Sequence, residues 1–304
     1  MRRRRRVVGS TPVQTPSELG PPVYPDHPEV NDDGEPDNLI TDIITRVDRD
    51  PEVMREQTGT LHVTAVINDC PRMIQLARSS PVTLYTPAPT GGHRVMWLLG
   101  RAVEHHIRST YITAVQGVGV RGRWLCRCGH TEIEQVGWPD AICPRCEQPP
   151  RTYGEITLRD PVSGLSGRPD LITVTEDPGG EEDTIIEIKS MNGPDFDELD
   201  TPHGSHLEQA TLYRRLNILT GRRTRRNVRV IYCTKVFVFG NPYKERSVDV
   251  GEGTVWDEGA SMYLETANAI NRPELLPRHI GCTDPHRPKP RACPTCVDCF
   301  VRPA

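Results

Sequence analysis

The sequence predicts an α/β (α+β) fold: a mixed central sheet flanked by helices, carrying a small metal-stapled insertion. Short β-branched runs alternate with amphipathic stretches from about residue 61 onward. Residues 1–58 have instead the Pro-, Ser- and acid-rich composition of a poorly ordered arm. Ten Cys fall mostly in two groups, which without a secretory route read as metal sites.

Within the arm, residues 38–47 have helix-like apolar spacing, and the Arg run after Met1 reads as a solvated tail. Residues 71–80, just after Cys70, predict a short helix. Residues 95–115 keep a helical apolar period over about five turns, with Trp97, Leu98, Val103, Ile107 and Ile112 expected on its buried face. Residues 154–158 and 171–174 read as strands joined by a turn-rich segment, and 184–189 (TIIEIK) as a short β-branched strand. Residues 203–219 predict an amphipathic helix closed by Gly221. Strands over 228–239 and 247–250 and a final helix over 257–270 complete the series. The chain thus divides into an arm (1–58), a domain (59–304), an insertion within it (121–150) and a C-terminal cysteine segment (282–299).

Net charge is −4, from 41 acidic and 37 basic residues. No run approaches the ~20 apolar residues of a membrane span, and the Arg-rich start lacks an apolar signal core. A soluble, cytoplasmic protein with no membrane partner is expected. Only four of the 37 basic residues are Lys: Lys189, Lys235, Lys244 and Lys289. In so Arg-rich a chain each Lys is worth a question, and Lys189 on its strand fits a chemical demand that guanidinium meets poorly.

The chemistry centres on Gly167-Arg-Pro-Asp170 and Glu187-Ile-Lys189. On a strand, Glu187 and Lys189 point the same way and Ile188 the other. Asp170 on a neighbouring strand would bring a second carboxylate beside Glu187. Two close carboxylates repel unless a cation lies between them, and hard oxygen ligands suit Mg²⁺ or Mn²⁺. The Ile188 carbonyl could complete the shell. Lys189 would position an attacking water or stabilise growing negative charge. Taken alone, the E-x-K triplet is an ordinary exposed strand pair.

It has company. Gly100-Arg-Ala-Val-Glu104 lies upstream on the long helix, and Gln209-Ala-Thr-Leu-Tyr213 lies downstream on another. In this order the four elements resemble the RecB-like branch of the PD-(D/E)xK nuclease superfamily, which reads G-x-x-x-(H or E), G-x-x-D, (D or E)-x-K, Q-x-x-x-Y. The resemblance spans roughly Cys70 to Cys299. It implies a restriction-endonuclease-like core and a metal-dependent DNA exonuclease acting on single-stranded or end-containing DNA. Recombination, repair, phage DNA processing or CRISPR adaptation would be its setting, with recombination or CRISPR adaptation proteins as further partners. It also implies that Glu104, Asp170 and Glu187 bind the metal, that Lys189 is catalytic, and that Gln209 and Tyr213 organise the site and contact DNA. His105, about 100° further round the helix, is the substitute for Glu104, while His106 reads as surface. Arg214, Arg215, Arg222, Arg223, Arg225, Arg226 and Arg229 would supply a phosphate-tracking region. A reading of another class is a non-catalytic DNA- or protein-binding module on the same scaffold.

Cys126-x-Cys128 and Cys143-x-x-Cys146 suit one tetrahedral Zn²⁺ and look like a zinc ribbon, with a structural role. Cys70 and a C-terminal triplet resemble the iron–sulfur branch of RecB-like nucleases, which includes the CRISPR-associated protein four family and the AddB nuclease domain. That resemblance implies a 4Fe-4S cluster on Cys70, Cys293, Cys296 and Cys299, with Cys282 as alternate. A second zinc site made from the four C-terminal cysteines is the competing reading. Cys233, inside a strand, reads as a small buried apolar residue.

Overall fold

The computed structural model describes residues 61–79, 91–235, 240–278, 282 and 299–300. The arm, its expected helix over 38–47, and Cys293 and Cys296 lie outside the described residues.

Leu61–His62 (β1) leads into Val63–Asn68 (α1) and Pro71–Ser79 (α2), followed by the long helix Gly91–Ala114 (α3). Seven strands come next: Val120–Leu125 (β2), Glu132–Val136 (β3), Thr152–Gly154 (β4), Leu158–Arg159 (β5), Leu165–Gly167 (β6), Leu171–Asp177 (β7) and Gly180–Met191 (β8). Gly193–Asp197 (α4), Gly204–Leu219 (α5), Asn227–Thr234 (β9), Tyr243–Asp249 (β10) and Val255–Ile270 (α6) complete the series.

The central sheet has seven strands in the order β10-β9-β8-β7-β2-β3, with β4 also paired to β2. It is mixed: β8 and β9 run parallel, with α5 between them in sequence, and the other pairs are antiparallel. A second sheet has the order β1-β6-β5, joining the first strand to the two that fall in sequence between β4 and β7. No described helix is long and apolar enough to cross a membrane.

Alternation along β8 serves two layers. Ile185 and Met191 join the larger core with Leu207, Leu212 and Leu216 of α5 and Ala260 and Ile270 of α6. Ile186 and Ile188 face the other way, into a smaller core with Ile112 of α3 and Trp124 of β2. Each fully buried Leu, Ile or Met among them contributes roughly 1.5–3 kcal/mol of burial free energy. The α6 start is capped by the Thr254 hydroxyl, which accepts the Asp257 N–H at 3.2 Å. The α5 end is followed by Gly221 at φ 85°, a left-handed conformation that suits glycine.

Three local expectations need correction. The strand expected over 154–158 is two strands: β4 pairs β2 in the central sheet and β5 pairs β6 in the small one, so residues 155–157 cross between sheets. The cysteine block opens with β2, which pairs β7 through Val120↔Thr173 and Arg121↔Ile172 and so extends the central sheet. Its alternation is there, Val120, Gly122 and Trp124 inward, but Arg121 and Arg123 obscure it as a sequence signal. Finally, Trp97 and Leu98 are 52% and 49% exposed, whereas Ile112 is 4% exposed. The helical period is sound, but β8 ends one residue after Ser190, which lies against Gly100. The preceding turns of α3 therefore have no strand of β8 beneath them.

Candidate active site

The site forms where β8 outruns β7. The β7–β8 ladder ends at Leu171↔Ile186, so the stretch of β8 beyond it is paired to β9 alone. This leaves the Ile188 N–H without a strand partner on that edge. Asp170, the residue before β7, supplies one: its Oδ2 accepts that N–H at 2.7 Å. Asp170 is thereby held beside the E-x-K triplet by a backbone hydrogen bond.

Glu187 is 2% exposed. Its Oε1 accepts from Lys189 Nζ at 2.6 Å, while its Oε2 is buried with no hydrogen-bond partner. From the α3 side, Glu104 Oε1 lies 3.5 Å from the Ser190 hydroxyl. Gly100, one turn earlier, permits that approach, since a Cβ there would stand 2.7 Å from Ser190 Oγ. Glu104 is half-buried, whereas His105 and His106 are exposed. On α5, Gln209 Nε2 donates to the Tyr213 hydroxyl at 2.8 Å. The Tyr213 ring lies on Gly167, whose absent Cβ would overlap it.

Burial pushes the Asp170 carboxyl well above the ordinary carboxylate range, and the charge of Glu187 adds to this. Burial also raises Glu187 and Glu104, with Lys189 opposing in both cases. Desolvation pulls the Lys189 ammonium down, but Glu187 and Asp170 outweigh it and hold its pKa above the usual value. Burial, reinforced by Glu187, raises the Tyr213 phenol, so it stays protonated. The result is an acidic pocket holding the Lys189 ammonium and a buried, unpartnered Glu187 Oε2, with Lys235, beside Gly100, as a second ammonium acting on Glu104. Such an arrangement suits a hard divalent cation. Among the described residues, however, these carboxylate oxygens do not gather within 4.8 Å of one another; that degree of convergence is found at the cysteines.

Sequence reasoning missed several neighbours. Arg108, one turn beyond Glu104, donates to Glu155 and lies 3.8 Å from Asp170 Oδ1. The i, i+4 spacing from Glu104 was the available signal for Arg108. Glu155 had none, because it lies in the crossing between sheets. His206 shares the α5 face of Gln209 and Tyr213; burial, then Lys189, lowers its pKa to about 4, and its Nδ1 lies 3.1 Å from the Tyr232 hydroxyl.

The arginine-rich region requires another correction. Arg214 and Arg215 face Asp257, Arg222 faces Glu134, Arg223 faces Asp177, Arg225 faces Glu182, Arg226 faces Asp249 and Arg229 faces Glu245. Arg223 and Arg225 bond the backbone of Asp183, near the start of β8. Six residues of strand, ~20 Å, separate that end from Lys189. All seven therefore face a carboxylate, and Arg223 and Arg225 lie at the far end of β8, whereas Arg229 stands opposite Ile186, next to Glu187.

The Sγ atoms of Cys126, Cys128, Cys143 and Cys146 lie within 4.8 Å of one another. Cys126–Cys128 and Cys128–Cys143 are 3.3 and 3.6 Å apart, near the ~3.8 Å edge of a tetrahedron with ~2.3 Å Zn–S bonds. The Thr131 hydroxyl, helped by backbone N–H groups, pulls the Cys143 thiol down to about 5. The donor set therefore fits a metal. Elsewhere, buried Arg72 donates to the carbonyls of Leu276 and Cys299, and Arg278 also donates to Cys299. The segment after Cys70 is thus tied to the segment holding Cys299. Cys233 is buried on β9.

No protein-family model matches the chain, and no curated protein matches it. Among solved structures, the chain is similar to an alkaline exonuclease (LHK-Exo) from Laribacter hongkongensis, at 14% identity and a TM-score of 0.40, over 72% of this chain and 92% of that one.

Proposed function

We propose that this chain is a metal-dependent DNA exonuclease of the RecB-like branch of the PD-(D/E)xK superfamily, acting on single-stranded or end-containing DNA. The carrying observation is Glu187: a buried carboxylate with one oxygen bonded to Lys189 and the other unpartnered, beside Asp170. Ionised carboxylates are costly to bury together, and a cation between them removes that cost. Glu104, Asp170, Glu187 and the Ile188 carbonyl are the groups that would hold Mg²⁺ or Mn²⁺. Such an ion would polarise a phosphoryl oxygen and acidify a bound water. Lys189, kept protonated by the same carboxylates, would donate to a phosphate oxygen or orient the attacking water. Tyr213, its oxygen fixed by Gln209, keeps its own proton available for a substrate oxygen.

The cysteines enter as staples. Zinc on Cys126, Cys128, Cys143 and Cys146 would brace the β2–β4 region. A 4Fe-4S cluster on Cys70, Cys293, Cys296 and Cys299, with Cys282 as alternate, would join the ends of the domain. The setting would be recombination, repair, phage DNA processing or CRISPR adaptation.

The test is degradation of labelled single strands with Mn²⁺. Loss of cleavage in EDTA, and a fall of about 10²-fold or more in Lys189→Ala, are expected. Strand binding without metal-dependent cleavage would make the chain a binding module instead.

A further inference from the structure

Trp97, Arg101, Glu104 and Arg108 are spaced by four, three and four residues on α3. At 100° per residue they fall within a ~60° arc. Glu104 and Arg108 are turned to Ser190 and Asp170. Trp97 and Arg101 continue that line outward, Trp97 standing two turns, ~10 Å, from Glu104. Trp97 is on the inward side of the helix by period, yet 52% exposed. The Arg101 guanidinium lies 4.9 Å from its ring centroid. Unlike the seven arginines from Arg214 to Arg229, Arg101 has no carboxylate partner among the described residues.

We propose that Trp97 and Arg101 form a binding site for the single-stranded end of the DNA substrate, one unpaired base stacking on the indole and a phosphate meeting the guanidinium. This rests on the reading of the Glu104–Lys189 cluster as the cleavage site. An indole accepts any base through its π-face, and an adjacent cation complements the backbone. A paired duplex hides its base faces except at its ends, so the platform selects unpaired strand. Met96 and Leu99, also exposed beside Trp97, extend the apolar surface over which a strand would lie. Its continuity with the carboxylate–lysine cluster favours a strand over a protein partner.

The experiment uses the full chain with no Mg²⁺ or Mn²⁺ added and compares a labelled oligothymidylate with an abasic strand of equal length and charge. Wild type prefers the base-bearing strand. Trp97→Ala weakens that strand roughly 5- to 160-fold, the range for losing one stacked base, and binds the abasic strand unchanged. Trp97→Phe keeps most of the preference, and Arg101→Ala weakens both strands. Circular dichroism checks that the variants fold as wild type does. If wild type cleaves with Mn²⁺ but Trp97→Ala keeps the full base preference, the platform is overturned and the nuclease reading stands. If Trp97 governs base preference but wild type does not cleave, the platform stands and the nuclease reading falls. If Trp97→Ala changes only self-association on size exclusion, the surface belongs to a second copy of the chain and the platform is overturned.

Discussion

Gly167 is the seat of Tyr213: a methyl group at Gly167 would lie 2.8 Å from Tyr213 Cδ1 and 2.9 Å from Val63 Cγ2. The glycine of one motif and the tyrosine of another, 46 positions apart, are thus one packing unit. It fixes α5 against β6, three residues before Asp170.

Gly167→Ala is therefore expected to destabilise the fold by about 1–3 kcal/mol, the usual range for overpacking. In a Tyr213→Ala background the same change becomes milder, giving a coupling of about 0.5–3 kcal/mol in a denaturation-based double-mutant cycle. Strict additivity would mean that the ring simply moves aside.

Glu104 and His105 are separated by the same logic. Glu104→Gln is expected to raise the Mn²⁺ concentration needed for half-maximal cleavage about tenfold or more. His105→Ala, altering an exposed residue, should leave it near wild type. The reverse result would assign the helix ligand to the histidine.

Asp170 and Glu187 both have folded-state pKa values above their unfolded ones, through burial and, for Asp170, the neighbouring charge. Folding thus favours their protonated forms. Their contribution is fully present below unfolded values of about 4, and it is lost as pH rises through the raised values. In EDTA, Asp170→Asn and Glu187→Gln should melt above wild type at about pH 8, by about 1.4 kcal/mol per unit of raised pKa removed. The gap should close towards acid pH. Saturating Mn²⁺ should reverse the order, because in the proposed site only wild type keeps the full ligand set. Variants melting below wild type in metal-free alkaline buffer would count against the electrostatic account.

Cys143→Ser should remove the zinc, about one per chain in wild type, as read by metal analysis. Because β4 pairs β2 and the Tyr153 hydroxyl lies 3.4 Å from the Asp170 carbonyl, cleavage should fall with it. Cys233→Ser, on β9, should keep the zinc. After anaerobic purification, about four irons per chain are expected, lost in Cys299→Ala; two zincs and no iron would replace the cluster with a second zinc site.

Much of the frame was legible because it is periodic. The β-branched run ending at Lys189, the helix ending before Gly221 and the paired cysteine turns carry local signals, and their elements appear within a few residues of where those signals place them. The misreadings share one cause. Trp97 has the right period but lies beyond the end of β8, and the arginines after Leu219 look like a basic tract until each meets an acid from another element. Glu155 carries no local signal, since it matters only through Arg108 and Asp170.

By itself, then, the sequence determined which residue types stand on which elements: Glu187 and Lys189 on one strand face, Gln209 and Tyr213 on one helix face, thiols on two turns. Tertiary structure alone decided that β8 extends past β7, so that an unpaired Ile188 N–H draws Asp170 to the triplet and Glu104 approaches through Ser190. Periodicity is set by bonds between near neighbours in the chain, whereas a strand's overhang depends on where distant segments stop pairing.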